Sequence, residues 1–330
     1  MRIVFIGTGE IGVPALQALL RSSEHQLTGV VTQPDKPVGR AQQVEPPPIK
    51  KALGSGAPGP PPPWTGSAVA SGRALPSAIP ILQPSRIKDR QAIEEIRALR
   101  PDAIVVIAYG QILPPEALEI PLIACLNLHA SLLPRWRGAA PIQAAIAAGD
   151  AQTGTTVMYM AEGLDTGDIL LQRGIDILPT DTGGSLHDRL AQIAPEPLLE
   201  ALQMLAKGNA PRIPQDNTLA TYAPKLTRDD GKIDWSEPAE IIERKIRAFN
   251  PWPGAFAEIA LPEPRKLKIF SAAIVDLDGK PGKFLHREKE LVIAAGKGAL
   301  SLGEVQLEGK RRMDAAEFLR GHASILHAAG

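Results

Sequence analysis

Short apolar runs alternate with stretches of helical spacing through the first two thirds of the chain. Residues 3–6, 27–31, 103–108, 123–128 and 155–160 are mostly apolar, and each run ends at a polar or glycine-rich turn, as buried strands do. Between them, 13–20, 89–99, 141–148 and 186–205 read as helices, with Ile93, Ile96 and Leu99 on one face of the second. Alternating strands and helices predict an α/β domain over residues 1–207, with a Rossmann-like, mostly parallel sheet covered on both faces. In such sheets ligands sit beyond the carboxyl ends of the strands, which directs attention to Gly7, Thr32, Tyr109 and the stretch after Leu128. Pro195 and Pro197 predict a kink or break in the last helix.

The pattern changes after Lys207. Residues 208–226 are polar and broken by three prolines, as a linker is. Beyond them, strand-like runs at 266–270, 291–295 and 299–307 predict a smaller C-terminal β-barrel domain of OB-like kind over 227–330. One interval fits neither regime: 10 of the 32 prolines lie between Pro46 and Pro80. Proline removes amide donors and fixes φ, so neither a helix nor an inner strand can run through it. Its centre, about 53–79, reads as a disordered insertion.

Composition narrows the function classes. The 36 Lys and Arg cancel 36 Asp and Glu over 330 residues, so no global field draws in nucleic acid or an acidic membrane, and any polyanion must be met locally. No apolar run approaches the ~18 residues of a spanning helix, so no membrane partner and a cytoplasmic location are expected. The single Cys125 has no disulfide partner and reads as a small buried hydrophobe. The six histidines show no metal-ligand spacing, and no metal is expected.

Gly7-Thr8-Gly9-Glu10-Ile11-Gly12 spells G-x-G-x-x-G after a predicted strand and before a predicted helix, the context of a dinucleotide-binding loop. That fingerprint also needs an acid at the end of the next strand, and here Val31-Thr32-Gln33 is followed by Pro34 before Asp35. Two readings stay open: a nucleotide-binding protein using the Gly7 loop, or glycines that permit a tight turn.

Asn127 and His129 are two apart and so point to the same side of a strand. A carboxamide and a protonated imidazole at a strand's carboxyl end suit stabilisation of a developing oxyanion. Gly163-Leu164-Asp165-Thr166-Gly167-Asp168 forms a polar turn between strands, and an acid there would orient His129. From the residues alone, a satisfied, partly buried pair stands equally open.

Asn127-Leu128-His129, followed by Ser131-Leu132-Leu133-Pro134-Arg135-Trp136-Arg137-Gly138 and by Asp165 in Gly163-Leu164-Asp165-Thr166-Gly167, resembles the active-site signature of the folate-dependent formyltransferases. Three further runs are similar to the branch that acts on methionyl-tRNA. They are Thr32-Gln33-Pro34-Asp35-Lys36-Pro37-Val38-Gly39-Arg40, Thr221-Tyr222-Ala223-Pro224-Lys225-Leu226 and Arg247-Ala248-Phe249-Asn250-Pro251-Trp252-Pro253-Gly254. The resemblance covers nearly the whole chain, failing between about 53 and 78 and weakening after Gly321.

The resemblance implies transfer of formyl from 10-formyltetrahydrofolate to the α-amino group of methionine on initiator tRNA, giving formylmethionyl-tRNA for translation initiation. Asn127 and protonated His129 would stabilise the oxygen that gains charge, and Asp165 would pair with His129 and help move the proton. Ser131, Leu132, Leu133 and Pro134 would line the folate site. Arg40 would meet the acceptor stem, with Lys36 and Lys50 adding charge. Ile11 stands where the family commonly places an aromatic residue of the methionine pocket. A monomer is expected. A folate-dependent formyltransferase acting on a sugar nucleotide or other small amine is the alternative within the family.

Overall fold

The computed structural model describes residues 1–39, 42–54, 79–260, 264–287 and 290–322, and the chain forms two compact units. The first comprises Met1–Arg137, Gly154–Gly174 and His187–Thr221; the second comprises Gly138–Thr153, Ile175–Leu186 and Tyr222–Gly330. Through the first half the elements run β1 (Arg2–Gly7), α1 (Val13–Arg21), β2 (Gln26–Val31), β3 (Lys36–Val38), β4 (Gln43–Glu45), α2 (Pro48–Gly54), β5 (Ile81–Leu82), α3 (Arg90–Ala98), β6 (Ala103–Ile107), α4 (Pro115–Leu118) and β7 (Ala124–His129). Then follow β8 (Arg137–Gly138), α5 (Pro141–Ala148), β9 (Gln152–Tyr159), β10 (Ile169–Asp176), α6 (Gly183–Ile193), α7 (Pro195–Ala206) and β11 (Tyr222–Ala223).

The central sheet has seven strands in the order β10-β9-β7-β6-β1-β2-β5. The pairs from β7 through β5 are parallel, and β9 joins β7 antiparallel. β6 is apolar and buried at every position, because both faces of the central sheet are covered. Phe5, Val105 and Leu126 join α1 and α7 in one core through Leu16, Leu19, Leu198 and Leu202. Val4, Val106 and Cys125 join α3 on the other face through Ile93 and Ile96. Burial pushes the Cys125 thiol up to about 12, so it is an inert core residue.

The helix expected over 186–205 breaks at Ala194, between α6 and α7. Pro195 begins the new helix, where a missing amide leaves no bond unmade. The same physics lets a helix enter the edge of the proline-rich interval. Pro48 starts α2, whose Lys51 amide donates to the Pro47 carbonyl at 3.0 Å, and Ile49 is buried against the first core. Proline forbids a helix interior, not a first turn. The remainder of the proposed insertion, 55–78, lies outside the described residues.

The C-terminal strands are β12 (Ala255–Ala260), β13 (Pro264–Ile269), β14 (Ala272–Val275), β15 (Phe284–Arg287), β16 (Glu290–Ala294), β17 (Ala299–Leu302), β18 (Glu304–Leu307) and β19 (Met313–Asp314), with α8 (Ala239–Ala248) before and α9 (Ala315–Gly321) after. They form two four-stranded antiparallel sheets, β12-β13-β18-β19 and β14-β17-β16-β15. Leu267, Ile269, Leu291, Ile293, Leu300 and Leu307 share one core with Ile242, Ile246 and Phe318. The run expected as one strand over 299–307 is two, because the chain passes from one sheet to the other at Gly303.

Candidate active site

On β7, Leu126 and Leu128 face one core and Cys125 the other, so Asn127 and His129 continue the side of Cys125. Both side chains approach the Asp165 carboxylate. Asn127 Nδ2 donates to Oδ1 at 3.5 Å, and His129 Nδ1 stands 3.7 Å from Oδ2. The second distance is too long for a direct hydrogen bond. The His129 and Asp165 side chains are 8% and 13% exposed, so the charge facing the imidazole is little screened by water.

The His129 ring is fixed from its other edge. Nε2 lies 2.8 Å from the Trp136 carbonyl oxygen, which can only accept, so Nε2 carries hydrogen and donates. The nitrogen left for chemistry is Nδ1, beside Asp165. Protonation there gives an imidazolium whose Nδ1–H lies on the same side as the Asn127 amide.

Asp165 sits in a left-handed turn at φ 51°, a conformation that Asp tolerates better than most residues. Two contacts make this turn obligatory. A Cβ at Gly167 would come within 1.7 Å of the Tyr159 carbonyl oxygen, so only glycine lets the turn pack against β9. Gln215 clamps it from outside: Nε2 donates to the carbonyl oxygens of Asp165 at 2.9 Å and Gly167 at 2.7 Å. The other end of Gln215 accepts from Arg137 Nε at 3.1 Å and Nη2 at 2.8 Å, and Arg137 Nη2 also donates to Asn217 Oδ1 at 2.8 Å. Arg137 is 2% exposed. The sequence reading missed Gln215, which lies within the stretch assigned to a linker and has no distinguishing motif. Arg137 stood in the quoted signature without a role.

The loop expected to line a folate site is stitched to β9 and β10. Thr156 Oγ1 donates to the Ser131 carbonyl oxygen at 2.7 Å and accepts from the Leu133 amide at 3.1 Å; Gln172 Nε2 donates to the Leu133 carbonyl oxygen at 2.9 Å. Ser131 is fully buried and its hydroxyl donates to the Arg135 carbonyl oxygen at 2.6 Å, while Leu133 is 3% exposed. These two shape the loop. Leu132 and Pro134 are the members that present surface.

A part-buried donor pair beside a carboxylate can stabilise an oxygen that gains charge during attack on a carbonyl carbon. Comparison with known proteins fixes the family. The N-terminal formyl transferase family model matches residues 1–202, and the formyl transferase C-terminal domain model matches 225–323. The chain belongs to the formyl transferase family. It is 46% identical over 330 residues to a protein of Akkermansia muciniphila named methionyl-tRNA formyltransferase, covering 98% of both chains. Among solved structures it resembles the sugar 3N-formyl transferase WlaRD, with TM-score 0.62 at 18% identity over 94% of this chain and 99% of that one. It also resembles HypX from Aquifex aeolicus, crystallised with tetrahydrofolic acid, with TM-score 0.60 at 19% identity; here the chain matches over 97% of its own length but spans only 47% of HypX.

In this formyl transferase the other expected site residues are dispersed. Ile11 is half-buried and packs on the first core. Lys36 is exposed on β3. Lys50 is spent on structure: Nζ donates to Asp35 at 2.8 and 2.9 Å and to Gln83 Oε1 at 2.8 Å. Hydrogen bonds from Gln83 and then Lys50 hold Asp35 below the usual carboxylate range, so the acid a dinucleotide fingerprint would use is already engaged. Gly7 approaches the Ile107 carbonyl oxygen so closely that a Cβ would stand 2.8 Å from it, which gives that glycine a packing reason of its own. Arg40 lies outside the described residues. No group of three or more His, Cys, Asp or Glu suited to a metal ion occurs among the described residues.

Proposed function

We infer that the chain transfers the formyl group of 10-formyltetrahydrofolate to the α-amino group of methionine on initiator Met-tRNA. The observation that carries this reading is the near-complete match, at 46% identity, to a relative of that name, together with the Asn127, His129 and Asp165 cluster. Leu132 and Pro134, half-buried apolar members of a loop tied to β9 and β10, support the folate end of the reading. The bound folate supplies a formyl group on N10.

The chain's residues then act as follows. Asn127 Nδ2 and His129 Nδ1–H donate to the formyl oxygen as the amine attacks and charge accumulates there. Each such donor contributes on the order of 3 kcal/mol to the transition state. The Trp136 carbonyl keeps the ring from rotating, so the donor direction is set before substrate arrives. Asp165 faces the imidazolium and takes part in moving the amine proton towards the departing nitrogen. Nothing in this sequence of events requires a covalent enzyme intermediate.

Acceptor choice tests the reading. With 10-formyltetrahydrofolate as donor, initiator Met-tRNA should be formylated with a higher kcat/KM than elongator Met-tRNA or an amino-sugar nucleotide. Preference for the sugar nucleotide would move the chain to the alternative branch. Tight NADH binding, read by fluorescence, would give the Gly7 loop a role this reading denies it.

A further inference from the structure

His129 Nε2 donates to the Trp136 carbonyl oxygen at 2.8 Å, so whatever fixes that carbonyl fixes which ring nitrogen faces the reaction. Trp136 adopts φ 60°, in the left-handed region that bulky residues rarely enter. A backbone held there persists only where surrounding contacts impose it.

Thr221 supplies those contacts. Its Oγ1 accepts from the Trp136 amide at 2.8 Å, its carbonyl oxygen accepts from the Arg137 amide at 2.9 Å, and its own amide donates to the Pro134 carbonyl oxygen at 3.3 Å. The first two bonds hold the peptide planes on both sides of the Trp136 Cα. In a trans peptide the N–H and C=O point opposite ways, so pairing the Arg137 N–H with Thr221 turns the Trp136 carbonyl away from Thr221 and onto His129. The two backbone bonds are open to most residues. The hydroxyl bond needs Thr or Ser.

Thr221 is itself held in place. It follows a 3₁₀ turn at Asn217–Leu219, where the Asp216 carboxylate accepts from the Thr218 amide at 2.9 Å and the Ala220 amide donates to the Asn217 carbonyl oxygen at 3.3 Å. Asn217 Oδ1 accepts from buried Arg137 Nη2 at 2.8 Å. Gln215 precedes this turn, so one ordered segment holds Asp165 at its start and the Trp136 carbonyl at its end. The sequence pattern marks that stretch only as a linker.

We propose that Thr221 is a positioning residue for formyl transfer: it aims the Trp136 carbonyl at Nε2, keeps hydrogen there, and leaves Nδ1 to meet the formyl oxygen. The proposal rests on the reading that His129 assists formyl transfer. Without the hydroxyl, Trp136 relaxes towards negative φ and its carbonyl swings off the ring. The neutral imidazole then carries its one proton on Nδ1, facing the Asp165 carboxylate 3.7 Å away. The ring is drawn towards Asp165 and out of line with the formyl oxygen.

The test compares the parent with Thr221→Val, which removes the acceptor and keeps the shape, and with Thr221→Ser, which keeps the hydroxyl. Thermal melts verify folding, and Thr221→Ala carries the same measurements if Thr221→Val melts early. Nitrogen NMR on isotope-labelled histidine at alkaline pH, with His129→Gln to assign the signal, reports which ring nitrogen bears hydrogen. The parent and Thr221→Ser should show Nε2–H, and Thr221→Val a mixture with Nδ1–H. In Thr221→Val kcat should fall by about 10–100-fold, as a misplaced catalytic group costs, with KM for Met-tRNA and for 10-formyltetrahydrofolate near the parental values. Thr221→Ser should restore kcat. Retention of the Nε2–H form in Thr221→Val, or a kcat that Thr221→Ser fails to restore, would overturn the role. If the parent fails to formylate Met-tRNA, the functional reading falls, and the nitrogen signals still decide what Thr221 holds.

Discussion

Gln215 holds Asp165 by its backbone rather than by its carboxylate, donating to the Asp165 carbonyl oxygen at 2.9 Å while its own oxygen is clamped by buried Arg137. The acid of the site is thus positioned by a chain of two uncharged amide bonds anchored on one guanidinium. Its carboxylate is left to face Asn127 and His129.

Replacing Gln215 separates position from stability. Gln215→Leu strands the buried Arg137 donors and should destabilise the fold by about 1–3 kcal/mol, with a lower kcat. Gln215→Glu keeps an acceptor for Arg137 but turns an oxygen towards two carbonyl oxygens. It should melt nearer to the parent yet lose kcat as Asp165 shifts. Urea midpoints and single-turnover rates measure the two effects, and a Gln215→Glu variant with parental kcat would remove Gln215 from the positioning role.

Asn127→Ala removes one donor from a site that offers few. Its kcat should fall by roughly 10²–10³ with a smaller change in KM for tRNA, since the bond strengthens as charge develops. A change confined to KM would place Asn127 in ground-state binding instead.

At Gly167 the constraint is steric. A Cβ there meets the Tyr159 carbonyl oxygen at 1.7 Å, so the Asp165 turn must move in Gly167→Ala. The variant should lose about 1–3 kcal/mol, as overpacked sites do, and lose activity with it. Thermal unfolding checks the first and the formylation rate the second; a parental melting temperature would mean that the turn yields freely.

His25 sets an acid limit on stability. It is 6% exposed, and neither ring nitrogen has a hydrogen-bond partner. Burial, and then the Met1 ammonium group, lower its affinity for a proton below the ordinary 6.5. The unfolded chain therefore binds this proton first, so the contribution is flat above pH 6.5 and falls as pH drops from there through the folded value. Urea midpoints between pH 7.5 and 5.5 should decline less steeply in His25→Phe than in the parent. Equal slopes would show that His25 is not the group responsible.

Much of this architecture was legible because strands buried on both faces leave unbroken apolar runs, as at 103–108, and because Asn127 and His129 must share a side of β7. The motif around His129 and the turn at Asp165 carried the resemblance to the family. What escaped the reading depends on contacts distant in sequence. Nothing local marks Gln215 as the clamp on Asp165, or Lys50 as the partner of Asp35 rather than of an incoming phosphate. Helix α2 has no strong local signal either, since it is short and opens on Pro48 at its first turn.

The most direct measurement of the central claim follows formyl labelled on 10-formyltetrahydrofolate in a single turnover with initiator Met-tRNA, comparing the parent with His129→Gln. The label should appear in N-formylmethionine after hydrolysis of the aminoacyl ester, and the rate should drop by roughly 10²–10³ in the variant, whose melting temperature stays near that of the parent. Label that remains on folate with the parent protein, or that transfers equally fast with His129→Gln, would contradict the assignment of this site.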